Sequence, residues 1–332
     1  MKQFICIILL IITSFYVDAQ AITYAEKLGW KKSDKVVILH VDDVGMSYDS
    51  NEGAINAMTK GIASSCSVMM PCPWVAGFTK FLQEHPAVDA GLHLTLTSEW
   101  KNYRWGPLSG KQIVPGLVDV QGAMWPSVPE VVQHATPEEV EKEIHAQLER
   151  AINMGFTPTH LDSHMGTLFA SPAFLSKYIQ LGIDHHIPVM LPGGHATLIN
   201  EQMKFGDAGI AQMRSIGEKL WLAGLPVLDD LHNMSYEWKL TAAEKSNDKK
   251  LREYKTKEYI KALRSLHPGI TMVIMHCTAT TEVFKHISDS GDTRRGDMLA
   301  MMDPALRDFI QKEGIIITTW RELKERRDKA GK

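Results

Sequence analysis

The chain of 332 residues predicts an α/β fold: an irregular (β/α) TIM-like barrel with seven or eight parallel strands. Three observations carry this. Short runs that are apolar nearly throughout recur along the chain, as strands buried on both faces require. Segments with helical periodicity separate them, the alternation that builds a parallel sheet. No Gly-x-Gly-x-x-Gly follows the first run, which argues against a dinucleotide-binding sheet. Seven or eight such units in roughly 300 residues fit a barrel better than an open doubly wound sheet.

The elements follow in order. Strands are expected at 36–41, 65–70, 90–96, 159–162, 188–191, 226–231, 271–276 and 315–319, and helices at 51–59, 138–153, 172–181, 248–265 and 304–312. Thr136-Pro137-Glu138-Glu139 is a capping box with proline at the first helical position, and Ser171-Pro172 opens a helix in the same way. Thr241-Ala242-Ala243-Glu244 repeats the box pattern. Two stretches lack periodicity: 98–132, rich in Trp, Gly and Pro, and 277–297. Unstructured stretches this long usually form lids or binding surfaces. Trp100, Trp105 and Trp125 are placed either to stack on sugar rings or to pack against the barrel.

Before all of these comes MKQFICIILLIITSFYVDAQ: one lysine, an apolar run over 4–17, and a small-residue cleavage point after Ala19. This predicts a signal peptide at 1–19 and a single mature domain at 20–332, exported to the periplasm or beyond. The run is short for a membrane span, which needs ~20 residues, so no span is expected in the mature chain. Losing Cys6 leaves Cys66, Cys72 and Cys277, an odd number without a CxxC pair, best read as small buried hydrophobes. A net charge of −3 with no long basic run argues against a nucleic-acid partner.

Barrel sites collect at the carboxyl ends of strands. The first apolar run ends in Asp42 and Asp43, the third contains His93, the fourth delivers Asp162 and His164, and the run MVIMHC delivers His276. One Asp and two His drawn from three strands suit a divalent cation with open positions. Each residue alone has a plainer reading, as a hydrogen-bonded core histidine or a turn aspartate; their joint occurrence at successive strand ends carries the argument.

The ordered set VDDVGMSYDSNEGAINAM, GIASSCSVMM, GLHLTLT, THLDSH and MVIMHC resembles the YdjC/ChbG/HpnK family of carbohydrate deacetylases, over about residues 35–325. The resemblance implies an irregular barrel that binds one divalent cation, Mg or Zn, and removes the N-acetyl group from an amino sugar or oligosaccharide. It implies Asp43, His93 and His164 as metal ligands, Asp42 as the base that activates water, and His276 as the acid for the leaving amine. Departures at Val44, Gly166, Met190, Cys277 and Thr278 imply a different substrate pocket. An exported enzyme would meet extracellular N-acetylated glycans. The remaining alternatives are hydrolysis of another amide or ester and a silent glycan-binding barrel; a homo-oligomer stays open.

Overall fold

The structure, a computed structural model, describes residues 22–331; the expected signal peptide at 1–19 lies outside the described residues. Seven strands form one sheet with every pairing parallel: β1 (Lys35–Val44), β2 (Ser65–Val68), β3 (Ala90–Leu94), β4 (Leu161–Ser163), β5 (Asp230–His232), β6 (Gly269–Met275) and β7 (Ile316–Ile317). Their order is β4-β3-β2-β1-β6-β5, with β7 also paired to β1. The central strand earns its place by composition: Val36, Val37, Ile38, Leu39 and Val41 have no exposure at all. It carries β6 along one edge, and β7 and then β2 along the other.

The ring is barrel-like and is not closed by strands all the way round. The strand expected at 188–191 is reduced to two isolated bridges, Val189 to Leu161 on the β4 side and Pro192 to Leu228 on the β5 side. Pro188 and Pro192 lack the N–H groups a ladder needs, so this segment spans the gap with few bonds. Those it makes are good: Leu161 N donates to Pro188 O at 2.8 Å and Met190 N to Leu161 O at 2.8 Å.

Helices cover the sheet much as the periodicity requires, over Tyr48–Thr59, Pro137–Asn153, Pro172–His185, Asp248–Ser265 and Pro304–Lys312. The box at Thr136 forms in full, and Glu139 also accepts from Gly116 N at 2.7 Å. The box at Thr241 closes only a short turn; the long helix instead starts at Asn247, whose side chain accepts from Lys250 N. Helices Gly206–Leu222, Gly291–Met301 and Trp320–Ala330 were not expected. The second of these corrects the reading of 277–297 as irregular throughout.

The stretch at 98–132 is largely irregular, as expected, but most of it packs. Trp105 is buried with Met46, Met69, Cys72, Met124 and Phe284 in a small second core. Trp125 stacks on His134 with ring centroids 4.2 Å apart. Glu143 and Gln147 of helix Pro137–Asn153 hold the start of the stretch, Gln147 bonding both N and O of Thr95. Cys66, Cys72 and Cys277 are buried free thiols. Among the described residues no helix is long and apolar enough to cross a membrane.

Candidate active site

A regular strand points successive side chains to opposite faces, so Asp42 and Asp43 should diverge. They do not, because β1 bulges here. Val41 pairs with Cys66 but Val44 with Val68, three steps on one strand against two on the other. Asp43 takes up the extra residue in a left-handed conformation, φ 63°, and Gly45 follows at φ 86°. A non-glycine residue held there is a strained position of the kind found at functional sites. The turn is fixed by Asn51, whose Oδ1 accepts from Gly45 N at 2.8 Å.

Both carboxylates therefore face the residues that end the neighbouring strands. Asp43 Oδ1 lies 3.3 Å from His93 Nε2 and 3.2 Å from His164 Nδ1, yet has no hydrogen-bond partner. The ligand atoms of these three residues lie within 4.8 Å of one another. Their other atoms are spoken for. His93 Nδ1 donates to Asp162 Oδ1 at 2.6 Å, His164 Nε2 to Glu99 Oε2 at 3.1 Å, and Arg294 Nη1 to Asp43 Oδ2 at 2.7 Å. Two further triads of possible ligands, His40-His160-Asp162 and Asp42-His93-Asp162, share Asp162. Its oxygens are already committed to His40 and His93.

Asp42 sits beside this triad, with Oδ2 3.9 Å from His93 Nε2 and Oδ1 3.1 Å from His40 Nε2. His40 is wholly enclosed and also bonds Asp162 Oδ2 at 2.9 Å. Burial opposes charge on His40, but the hydrogen bonds to Asp162 and Asp42 outweigh it and raise its pKa to about 9. It is therefore an imidazolium between two carboxylates. On the opposite side His276 Nε2 lies 3.9 Å from Asp43 Oδ2, with the Tyr236 ring edge-on to it. Burial, helped by Arg294, pushes the His276 pKa down, so it rests as a neutral imidazole.

The structure thus brings together Asp42, Asp43, His93, His164 and His276, all read from the strand ends. Five more residues complete the site. Asp162, read as a strand-end candidate, orients His93 instead of facing the centre. His40 was hidden inside an apolar run. Glu99 and Trp100 begin the irregular stretch, and Trp100 is the one expected tryptophan of three that lines the cavity. Arg294 comes from helix Gly291–Met301, its guanidinium 5.8 Å from the Trp100 ring and 5.3 Å from Tyr236. Burial works against the Asp43 charge, but Arg294 outweighs it and holds the carboxyl well below its ordinary range.

A parallel barrel-like sheet with acids and imidazoles gathered over its strand ends carries its site where barrel enzymes carry theirs. The family model described as YdjC-like protein matches residues 36–312, and the chain belongs to that family. The chain is 28% identical to the carbohydrate deacetylase of Thermus thermophilus over 293 residues, 88% of this chain and 94% of that one. It is 31% identical to the chitooligosaccharide deacetylase of Yersinia enterocolitica over 135 residues, 40% of this chain and 49% of that one. A solved Enterococcus faecalis protein, provisionally described as a cellobiose-phosphate cleavage protein, superposes with a TM-score of 0.69 at 18% identity. It covers 88% of this chain and 99% of its own, and shows the fold alone.

Proposed function

We propose that the chain is a metal-dependent hydrolase that removes the N-acetyl group from an amino sugar. One observation carries the metal: a buried carboxylate oxygen, Asp43 Oδ1, has no hydrogen-bond partner and faces two imidazole nitrogens, while hydrogen bonds fix the far side of all three ligands. An oxygen with no hydrogen bond of its own, set between two imidazole nitrogens, is placed to share a cation with them. The orienting bonds from Asp162 and Glu99 are the outer-shell partners that metal-bound histidines ordinarily have. The relatives' names supply the carbohydrate and the acetyl group.

A divalent cation held by Asp43, His93 and His164 would supply Lewis acidity toward the amide carbonyl and the attacking water. The protein does the rest. Asp42, steered by His40 beside it, takes the proton from the water. His276, on the other side of the cluster and neutral at rest, first takes up a proton from solvent and then hands it to the departing nitrogen. Arg294 fixes Asp43 so that a single oxygen points at the centre. Acetate release from a panel of N-acetylated sugars tests the reading. His276→Gln should lower kcat by ~10²–10⁴, the usual worth of a general acid, with ion content unchanged; an unaltered kcat would remove it from the mechanism.

Ion affinity should also depend on pH, with a definite sign. In the ion-free site burial opposes protonation of both imidazoles. Asp162 nevertheless holds the His93 pKa well above its ordinary value, and Glu99 with Asp43 lifts that of His164 to about 9. Binding must expel those protons, so affinity should rise with pH across the range up to about 9, where His164 loses its proton. Calorimetry in buffers of different ionisation enthalpy would read the protons released. Affinity that is flat between pH 6 and 9 would contradict this ligand set.

A further inference from the structure

The cavity over the strand ends has a volume of about 920 Å³. That is near the top of the ~300–1,000 Å³ range of small-molecule sites. Its lining differs from one set of elements to another. Asp42, Asp43, His93, His164 and His276 line it from the ends of β1, β3, β4 and β6, and Glu99, Asn233 and Glu237 add polar groups that suit sugar hydroxyls. Phe169, Leu175, Met190, Met203, Phe205 and Met213 line it from the segments between β4 and β5. These come from the turn after β4, from the bridging segment, and from helices Pro172–His185, Thr197–Met203 and Gly206–Leu222.

This wall is unsuited to a second polar sugar. Hydroxyls placed there would lose water without gaining partners. Sugar rings are also held by flat aromatic faces, whereas here three methionines adapt their shape to flexible aliphatic chains. The wall is built to be covered: Met203 is 59% exposed and Phe205 43% exposed although they border the cavity. Exposed apolar side chains grouped at a binding cavity mark a ligand surface, not scattered surface residues.

We propose that the substrate is an amphiphile: an N-acylated amino sugar carrying a hydrocarbon chain, with the sugar at the reactive carboxylates and imidazoles and the chain along the methionine wall. The proposal rests on the deacetylase reading and narrows its substrate. The chain has two possible sources, an alkyl aglycone on the sugar or a long N-acyl group. Either would gain from the wall, since each methylene fully buried is worth ~0.8 kcal/mol, about fourfold in affinity.

The test compares kcat/KM for four substrates below their micellar concentrations: N-acetylglucosamine, diacetylchitobiose, the octyl glycoside of N-acetylglucosamine, and N-octanoylglucosamine. We expect one alkylated substrate to exceed both plain sugars by at least ~30-fold, what two to three buried methylenes supply; which one does so identifies the source of the chain. The double variant Met203→Gln/Phe205→Gln should pull that ratio toward one. Plain sugars turned over as well as both alkylated ones would overturn the proposal, as would a preference the double variant leaves intact. No acid release from any of the four would overturn the deacetylase reading, and this proposal with it.

Discussion

Asp43→Asn should lower acetate release at least ~10³-fold while leaving a folded protein. The rate loss is expected because asparagine removes the anionic ligand of the cluster, and outer-shell changes alone already cost ~10–100-fold. The fold should survive for two reasons. Asparagine tolerates the left-handed conformation that position 43 adopts at φ 63°. Its amide oxygen can still accept from Arg294, so the buried guanidinium keeps a partner and the stability cost should stay near ~1–3 kcal/mol. Asp43→Ala removes that partner too and should cost more, ~3–5 kcal/mol, the usual penalty for stranding a buried charge. Asp42→Asn separates the two aspartates: it should abolish turnover yet keep the ion. Acetate kinetics and urea denaturation on the three variants would check this, and a fully active Asp43→Asn would sink the ligand assignment.

An equally large effect on stability is expected one layer behind the reacting groups, at Lys255. Its ammonium is completely buried and bonds Asp297 Oδ1 at 2.9 Å, Thr293 Oγ1 at 2.7 Å and Ser235 O at 2.8 Å. Asp297 also accepts from Tyr259 Oη at 2.8 Å and from the backbone N–H of His276 at 3.2 Å. Lys255→Met leaves Asp297 charged and enclosed with its cation gone, a change worth ~3–5 kcal/mol of destabilisation. Because Asp297 holds the end of β6 and sits one turn from Arg294 on the same helix, kcat should fall as well. Lys255→Met/Asp297→Asn should lose less stability than the sum of the single variants, since each single change strands the other partner. Strict additivity would show that the pair is not coupled.

Much of the site was legible because barrel chemistry sits where apolar runs end. Asp42, Asp43, His93, His164 and His276 all interrupt or close such runs, and local sequence suffices to find them. His40 defeats the same logic: it lies inside VVILHV, where a histidine looks like core, and its role depends on carboxylates that only the folded sheet places beside it. Arg294 is further out of reach, 251 residues from Asp43 in sequence. Its helix was hidden because the buried side of Gly291–Met301 includes Arg294, Gly296 and Asp297, so no apolar stripe announces it. The gap in the barrel wall has a similar cause. The run at 188–191 is apolar enough for a strand, but apolarity reports burial and not pairing. Nor does the sequence reveal the bulge that turns two neighbouring aspartates to one side, because register belongs to the pairing of β1 with β2.

The central claim is that Asp43, His93 and His164 hold one divalent cation, and counting that ion tests it most directly. Native mass spectrometry of protein loaded with zinc or magnesium and freed of excess ion should find one ion per chain in the wild type. It should find one in Asp42→Asn and none in Asp43→Asn. A wild type without an ion, or an Asp43→Asn variant that keeps it, would contradict the account.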